Sequence, residues 1–163
     1  MTVIDVVEFE INNERYALDI GLTREIVDMV QITPVPRAPP HIAGIINLRG
    51  EITNIINLNS ILGLNEKIKE DLEEHKIIVL VPEAADGSIV GIIVDAVHSV
   101  LQIQDKDIEA VGGGLSNEAY VKGIIKIEDK DSETQEDEKG RQKRLIIWLD
   151  IAQLLQDLLA SSK

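Results

Sequence analysis

The chain has 163 residues, enough for one domain with a sizeable core, and only 2% of its residues are aromatic, so that core must be aliphatic. Its formal net charge of −13 repels phosphate backbones, and we expect no nucleic-acid binding. The absence of cysteine excludes disulfides, thiolate metal sites and a cysteine nucleophile. The N-terminus lacks a signal-peptide pattern, and no apolar run approaches the ~20 residues that span a bilayer. We therefore expect a soluble, cytoplasmic protein without direct membrane insertion.

The N-terminal segment predicts a β-hairpin. Residues 3–11 alternate with a period of two, which is typical of a strand, and one face becomes more polar towards its end. Asn12-Asn13 tolerates the positive φ of a tight reversal, and the alternation resumes over residues 16–20. A further strand is predicted at residues 26–32.

The next stretch is a proline-rich arm that leads into a second hairpin. Prolines at positions 34, 36, 39 and 40 disfavour helix and keep the arm extended. It is followed by an apolar strand at residues 44–48, an Arg49-Gly50 turn and another strand at residues 52–56. Because Gly50 adopts positive φ at no steric cost, Arg49 is expected on the rim of the hairpin with its guanidinium available to a partner.

The remaining strands are predicted where runs rich in β-branched residues lie between turn signals: 76–81, 89–94, 97–103, 120–127 and 145–149, with Asp86-Gly87 as a turn. Helical signals are few. Residues 59–62 indicate a short turn, 65–74 a charged surface helix or linker, and 151–159 a helix with Asp150 as its N-cap. The apolar stripe of that last helix is expected to dock on the protein's own sheets, because it has no basic face for a membrane.

The segment 128–144 is acidic in its first half and basic in its second, with almost no apolar residues. Such a segment cannot form a core, so it predicts a solvated loop or a protruding hairpin with mutually attracting arms. A partner-docking element is the alternative interpretation.

An internal repeat relates the two halves of the chain. The apolar strand, turn and strand of residues 44–59 are repeated in outline over 123–150, with a longer connection. Each half has about five short strands, which is enough for a small closed barrel.

The sequence contains no signature of catalysis, cofactor binding or metal binding. Its histidines, at 41, 75 and 98, are scattered, and Gly112-Gly113-Gly114 lacks the downstream lysine and helix start of a phosphate loop. No serine lies in a nucleophile elbow. We expect no enzyme, no cofactor and no metal.

The arm and hairpin resemble the CheW family of chemotaxis adaptors, which has Pro-x-Pro, then Gly-x-x-Asn-Leu-Arg-Gly, then a strand ending in Asn/Asp-Leu. The match runs over residues 34–63, and weaker similarity covers nearly the whole chain. Two departures are Asn54, where many relatives carry proline, and the long charged segment in the final hairpin.

The resemblance implies an all-β fold of two intertwined five-stranded SH3-like β-barrel subdomains with a short C-terminal helix, in a single domain over residues 1–163. Subdomain 1 would cover about 17–81, subdomain 2 about 1–16 plus 82–150, and the helix 151–163. Because the first strand joins the second barrel, we expect the two barrels to unfold together.

The resemblance also implies a non-enzymatic adaptor that couples the cytoplasmic tip of transmembrane chemoreceptors to the regulatory domain of the CheA histidine kinase. Such a protein would be recruited from the cytoplasm to membrane-associated receptor arrays. From where the chain begins and ends, we expect a stand-alone adaptor. The implied receptor-binding residues are Glu25, Val27, Ile46, Asn47, Leu48, Arg49 and Gly50, and no kinase-binding residues are predicted.

Within that set, we expect Glu25 to orient the Arg49 guanidinium. The alternative function is an SH3-like peptide- or protein-binding module outside chemotaxis. An enzyme hidden between the barrels is disfavoured because the predicted strands are nearly all aliphatic.

Overall fold

The computed structural model describes residues 3–62, 74–85, 87–109, 120–128 and 143–161. Over these ranges the chain forms eleven strands and two α-helices, which confirms the mainly β class. The elements are β1 (Val3–Ile11), β2 (Glu14–Asp19), β3 (Thr23–Asp28), β4 (Ile42–Leu48), β5 (Glu51–Ile56), α1 (Leu58–Ile61), β6 (Lys76–Leu80), β7 (Val90–Val94), β8 (Ala96–Gln104), β9 (Ile108–Glu109), β10 (Val121–Glu128), β11 (Lys143–Leu149) and α2 (Ile151–Ser161).

The strands form two sheets. The first sheet has six strands in the order β8-β1-β2-β11-β10-β9, and β2 and β11 are its parallel neighbours. The predicted N-terminal hairpin is confirmed: β1 and β2 are antiparallel, and Asn12 and Asn13 both have positive φ, 57° and 67°. Positive φ at both central residues is what a two-residue hairpin turn requires.

The second sheet has five strands in the order β3-β6-β7-β5-β4, with β5 and β7 parallel. The first sheet exceeds the expected five strands because the two-residue β9 adds to its edge. By sheet membership, β2 belongs with the first sheet and β7 with the second. The division into subdomains at 17–81 and at 1–16 plus 82–150 stays a prediction.

Buried side chains form three clusters. One lies against the first sheet around Ile125 and Ile146, and another lies against the second sheet around Ile55 and Ile77. The third, which we call the shared core, contains side chains from both sheets. Helix α2 completes the shared core with Ile151, Leu154 and Leu155, so the predicted docking of this helix on the protein's own sheets is confirmed.

Helix α2 begins as predicted. Asp150 Oδ1 accepts a hydrogen bond from the backbone N–H of Gln153 at 3.1 Å, as an N-cap does. The predicted turn at 59–62 is instead the short helix α1, and Asn57 caps it by accepting from Asn59 N–H at 2.9 Å. No helix in the described part of the chain is long and apolar enough to cross a bilayer.

Two other sequence expectations are wrong. The strand predicted at 26–32 is β3, which ends at Asp28, because its ladder partner β6 begins at Lys76 and pairs with Asp28 there. The expectation that the face of β1 carrying Glu8 is solvated is also wrong, because Glu8 is fully buried. Its carboxylate accepts from Arg15 Nη1 at 3.3 Å and lies 3.2 Å from Arg144 Nη2, so two cations compensate its burial.

Several sequence predictions lie outside the described residues: positions 65–73 of the charged surface helix, Asp86 of the Asp86-Gly87 turn, the triple glycine at 112–114, and positions 129–142 of the charged segment.

Candidate functional site

The centre of the candidate site is the two-residue turn between β4 and β5. Arg49 and Gly50 have φ of 53° and 86°, and Leu48 pairs with Glu51 across the hairpin. The side chain of Asn47 fixes the turn, since its Oδ1 accepts from the Gly50 N–H at 2.9 Å. Positive φ is strained for a residue with a side chain, so this turn is held by its flanking ladder and by Asn47.

The predicted contact between Glu25 and Arg49 is confirmed. Arg49 Nη1 donates to Glu25 Oε2 at 2.8 Å, the length of a charge-assisted hydrogen bond. The Glu25 side chain is 21% exposed, whereas that of Arg49 is 71% exposed. A half-buried carboxylate therefore orients a guanidinium whose greater part faces solvent.

This contact joins the two edges of the second sheet. Glu25 lies in β3 and Arg49 follows β4, and β3 and β4 are the terminal strands in the sheet order. A further link comes from the isolated bridge between Thr33 and Ile45, with N–O distances of 2.9 and 2.8 Å. These two contacts link β3 and the segment after it to β4, which is consistent with an SH3-like fold.

The bridge explains the glycine at the start of the motif. Gly44 has a φ of 149°, and a Cβ added there would lie 2.3 Å from the carbonyl oxygen of Thr33. The proline arm can approach β4 this closely only over a residue without a side chain.

A second ion pair parallels the first. Arg24 Nη2 donates to Glu51 Oε1 at 3.1 Å, also between β3 and the β4–β5 turn. The hydrogen bond and charge of Glu51 raise the pKa of Arg24 above its ordinary value. Two positive and two negative side chains therefore line one small depression on the surface.

The remaining predicted site residues divide between surface and core. Asn47, Arg49 and Gly50 are exposed, whereas Val27 and Leu48 are half-buried against the core of the second sheet. Ile46 is only 4% exposed. Its position indicates that it supports the strand from inside, while the exposed residues are the ones a partner can touch.

Sequence reasoning missed the second ion pair and the residue beneath it. In the sequence, Arg24 precedes Glu25 and Glu51 follows Gly50. Each segment therefore carries one positive and one negative side chain, and this charge pattern could have indicated the second ion pair. Thr53, two residues after Glu51 in β5, carried no signal, because nothing in its neighbourhood indicated that its hydroxyl would be buried.

Within the ranges described, no three His, Asp or Glu side chains gather closely enough to hold a metal ion. The expectation of a protein without metal or cofactor stays a prediction.

Comparison with known proteins gives consistent matches along the chain. Residues 5–159 match the family model described as a CheW-like domain. The chain is 30% identical over 128 residues to the chemotaxis protein CheW of Rhizobium meliloti, which covers 77% of this chain and 79% of that protein. It is 28% identical over 154 residues to the chemotaxis protein CheW of Thermotoga maritima, with 94% and 89% covered.

A solved structure is similar as well. The scaffolding protein TtCheW from Thermoanaerobacter tengcongensis superposes with a TM-score of 0.70 at 32% sequence identity, over 91% of this chain and 85% of that one. Its likeness extends over both sheets of the fold described above.

Proposed function

Since this chain belongs to the CheW family, we propose that it is a non-enzymatic chemotaxis adaptor that binds the cytoplasmic tip of chemoreceptors and the regulatory domain of the CheA histidine kinase. Holding both partners at once would place the kinase where a change in receptor conformation can bias its activity. The adaptor would work in the cytoplasm and be recruited to receptor arrays through this contact.

The observation that supports this function best is the oriented arginine on a strained turn. Arg49 has positive φ, is 71% exposed and is held at 2.8 Å by Glu25. A guanidinium whose direction is fixed loses less conformational entropy on binding than a freely rotating one. Arginine is also one of the residue types that most often dominate the energy of an interface.

We assign the receptor contact to the surface formed by the β4–β5 turn and the start of β3. Asn47, Arg49 and Gly50 would contact the receptor directly, and Glu25 would orient Arg49. Val27, Ile46 and Leu48 would keep the two strands in place through their packing in the core. The kinase would use other surfaces of the two sheets, so that both partners bind together.

The experiment is capture with two purified fragments, a chemoreceptor cytoplasmic tip and the regulatory domain of the kinase, each alone and then both together. We expect each fragment to bind and the two to be captured in one ternary complex. Competition between the fragments would contradict bridging, and binding of neither would refute the proposed function.

A further inference from the structure

Strand β3 is irregular at the point where it faces the β4–β5 turn. Its register against β6 shifts between Thr23 and Glu25, so Arg24 is an extra residue in the ladder. Consecutive residues of a regular strand point to opposite faces of the sheet, whereas a bulge re-aims one of them. Arg24 and Glu25 consequently reach the same turn, and each forms an ion pair there.

The four charges at this turn allow two pairings. In the structure, Arg24 contacts Glu51 at 3.1 Å. Arg49 contacts Glu25 at 2.8 Å. In the exchanged pairing Arg49 would instead contact Glu51, two residues away in the same hairpin, and Arg24 would be left to Glu25. The hydrogen bond and charge of Glu51, and then the charge of Glu25, raise the pKa of Arg24. Arg24 therefore senses both carboxylates, and the two pairings compete within one small depression.

The two carboxylates differ in how firmly they can hold Arg49. The Glu25 side chain is 21% exposed, whereas that of Glu51 is 48% exposed. A partly buried carboxylate is screened less by solvent and salt, so Glu25 fixes the direction of the guanidinium better. A contact between Arg49 and Glu51 would also stay within the hairpin and would not connect the turn to β3.

We propose that Arg24 is a positioning residue for Arg49: by holding Glu51, it occupies the carboxylate that would otherwise compete with Glu25 for the Arg49 guanidinium. Glu51 in turn keeps Arg24 away from Glu25, so the second ion pair protects the first from exchange. This inference rests on the proposed function, in which Arg49 contacts the chemoreceptor tip. Neither member of the second pair needs to touch the partner itself.

The first test is a double-mutant cycle with Arg24→Gln and Glu51→Gln, in which the affinity for a chemoreceptor tip fragment is measured by calorimetry. Arg24→Gln frees Glu51 to compete for Arg49, and Glu51→Gln frees Arg24 to compete for Glu25. Each single variant should therefore bind about 2- to 5-fold more weakly, the range for an exposed ion pair. The double variant removes both competitors and should bind as tightly as wild type.

Recovery in the double variant distinguishes positioning from direct contact. If Arg24 or Glu51 touched the partner, the double variant would bind at least as weakly as the single variant that lacks that residue, and the inference would be overturned. Equal affinities for all four proteins would overturn it as well. Lys76→Gln is the matched control, because it removes an exposed ion pair with Asp28 from the other end of β3. It should leave the affinity unchanged; a loss equal to that of Arg24→Gln would trace the effect to β3 as a whole and contradict the proposal.

The second test needs no partner. The order parameter of the Arg49 Nε–Hε bond, from NMR relaxation of the free protein, should be high in wild type and in the double variant. It should be lower in each single variant, where the guanidinium loses its fixed contact for part of the time. Identical order parameters in the four proteins would overturn the inference.

The two tests separate this inference from the proposed function. If Arg49→Ala weakens binding but the double variant does not recover, only the role of Arg24 fails. If Arg49→Ala binds the receptor tip as tightly as wild type, the proposed receptor surface fails, and the order parameters still decide whether Arg24 positions Arg49.

Discussion

Replacing Arg49 by alanine should separate binding from stability. The Arg49 side chain is 71% exposed, and its partner Glu25 is 21% exposed. Two unit charges about 4 Å apart attract by ~1 kcal/mol in water, and side-chain entropy and salt reduce that gain. We therefore expect Arg49→Ala to lower the free energy of unfolding in urea by no more than about 1 kcal/mol.

The loss of affinity should be larger. An arginine at the centre of an interface typically contributes 2 kcal/mol or more, so the dissociation constant for the receptor tip fragment should rise by roughly 30-fold. Glu25→Ala should weaken binding less, because Glu25 acts by orienting Arg49. The double variant should then bind no more weakly than Arg49→Ala alone, since without Arg49 there is nothing for Glu25 to orient.

The measurement is calorimetric titration of the four proteins, with urea unfolding of each. Lys126→Ala is the control: it removes one partner of a solvent-exposed pair, Lys126–Glu109 at 2.6 Å, from the first sheet. It should leave receptor affinity unchanged. Strictly additive losses from Glu25→Ala and Arg49→Ala, or undiminished binding by Arg49→Ala, would refute the assignment of Glu25 as an orienting residue.

Three other predictions follow from the fold. Gly44→Ala should destabilise the protein by about 2 kcal/mol or more in urea unfolding, because its Cβ would lie 2.3 Å from Thr33 O; an unchanged midpoint would contradict the tight approach of the arm. Glu8→Gln should cost about 3 kcal/mol because it removes the buried negative charge that faces Arg15 and Arg144, and a more stable variant would argue against that charge cluster. The hydrogen bond to Asp157 raises the pKa of Tyr120 above 10.0. The stabilisation that this hydrogen bond gives the folded protein should be complete below pH 10 and should decline as pH rises through the higher pKa of the folded state. Tyr120→Phe should remove this contribution to the pH dependence of the free energy of unfolding.

The sequence predicted the class of fold well because its signals were local. The period-two alternation of residues predicted β1 and β2, Asn12-Asn13 predicted the turn between them, and Asp150 predicted the start of α2. The short β9 escaped prediction, since two residues are too few to show a period.

The site was harder to predict because it depends on contacts between distant parts of the chain. Glu25 and Arg49 were paired through the family resemblance, as no spacing rule relates residues 24 positions apart. The buried hydroxyl of Thr53 and the buried carboxylate of Glu8 depend on curvature and on cross-strand neighbours, which the amino-acid order alone does not state. Alternation even favoured the wrong environment for Glu8, because successive residues of β1 from Val6 to Phe9 are all buried.

The meeting of the two edges of the second sheet has a thermodynamic consequence. One side chain, Glu25, both links β3 to the β4–β5 turn and orients the arginine that a partner would contact. Any ligand that favours the oriented arginine must, by linkage, also favour the contact between β3 and this turn. Binding of the ligand should therefore slow hydrogen exchange of the backbone amides along β3, and loosening of β3 should in turn lower the affinity for the ligand.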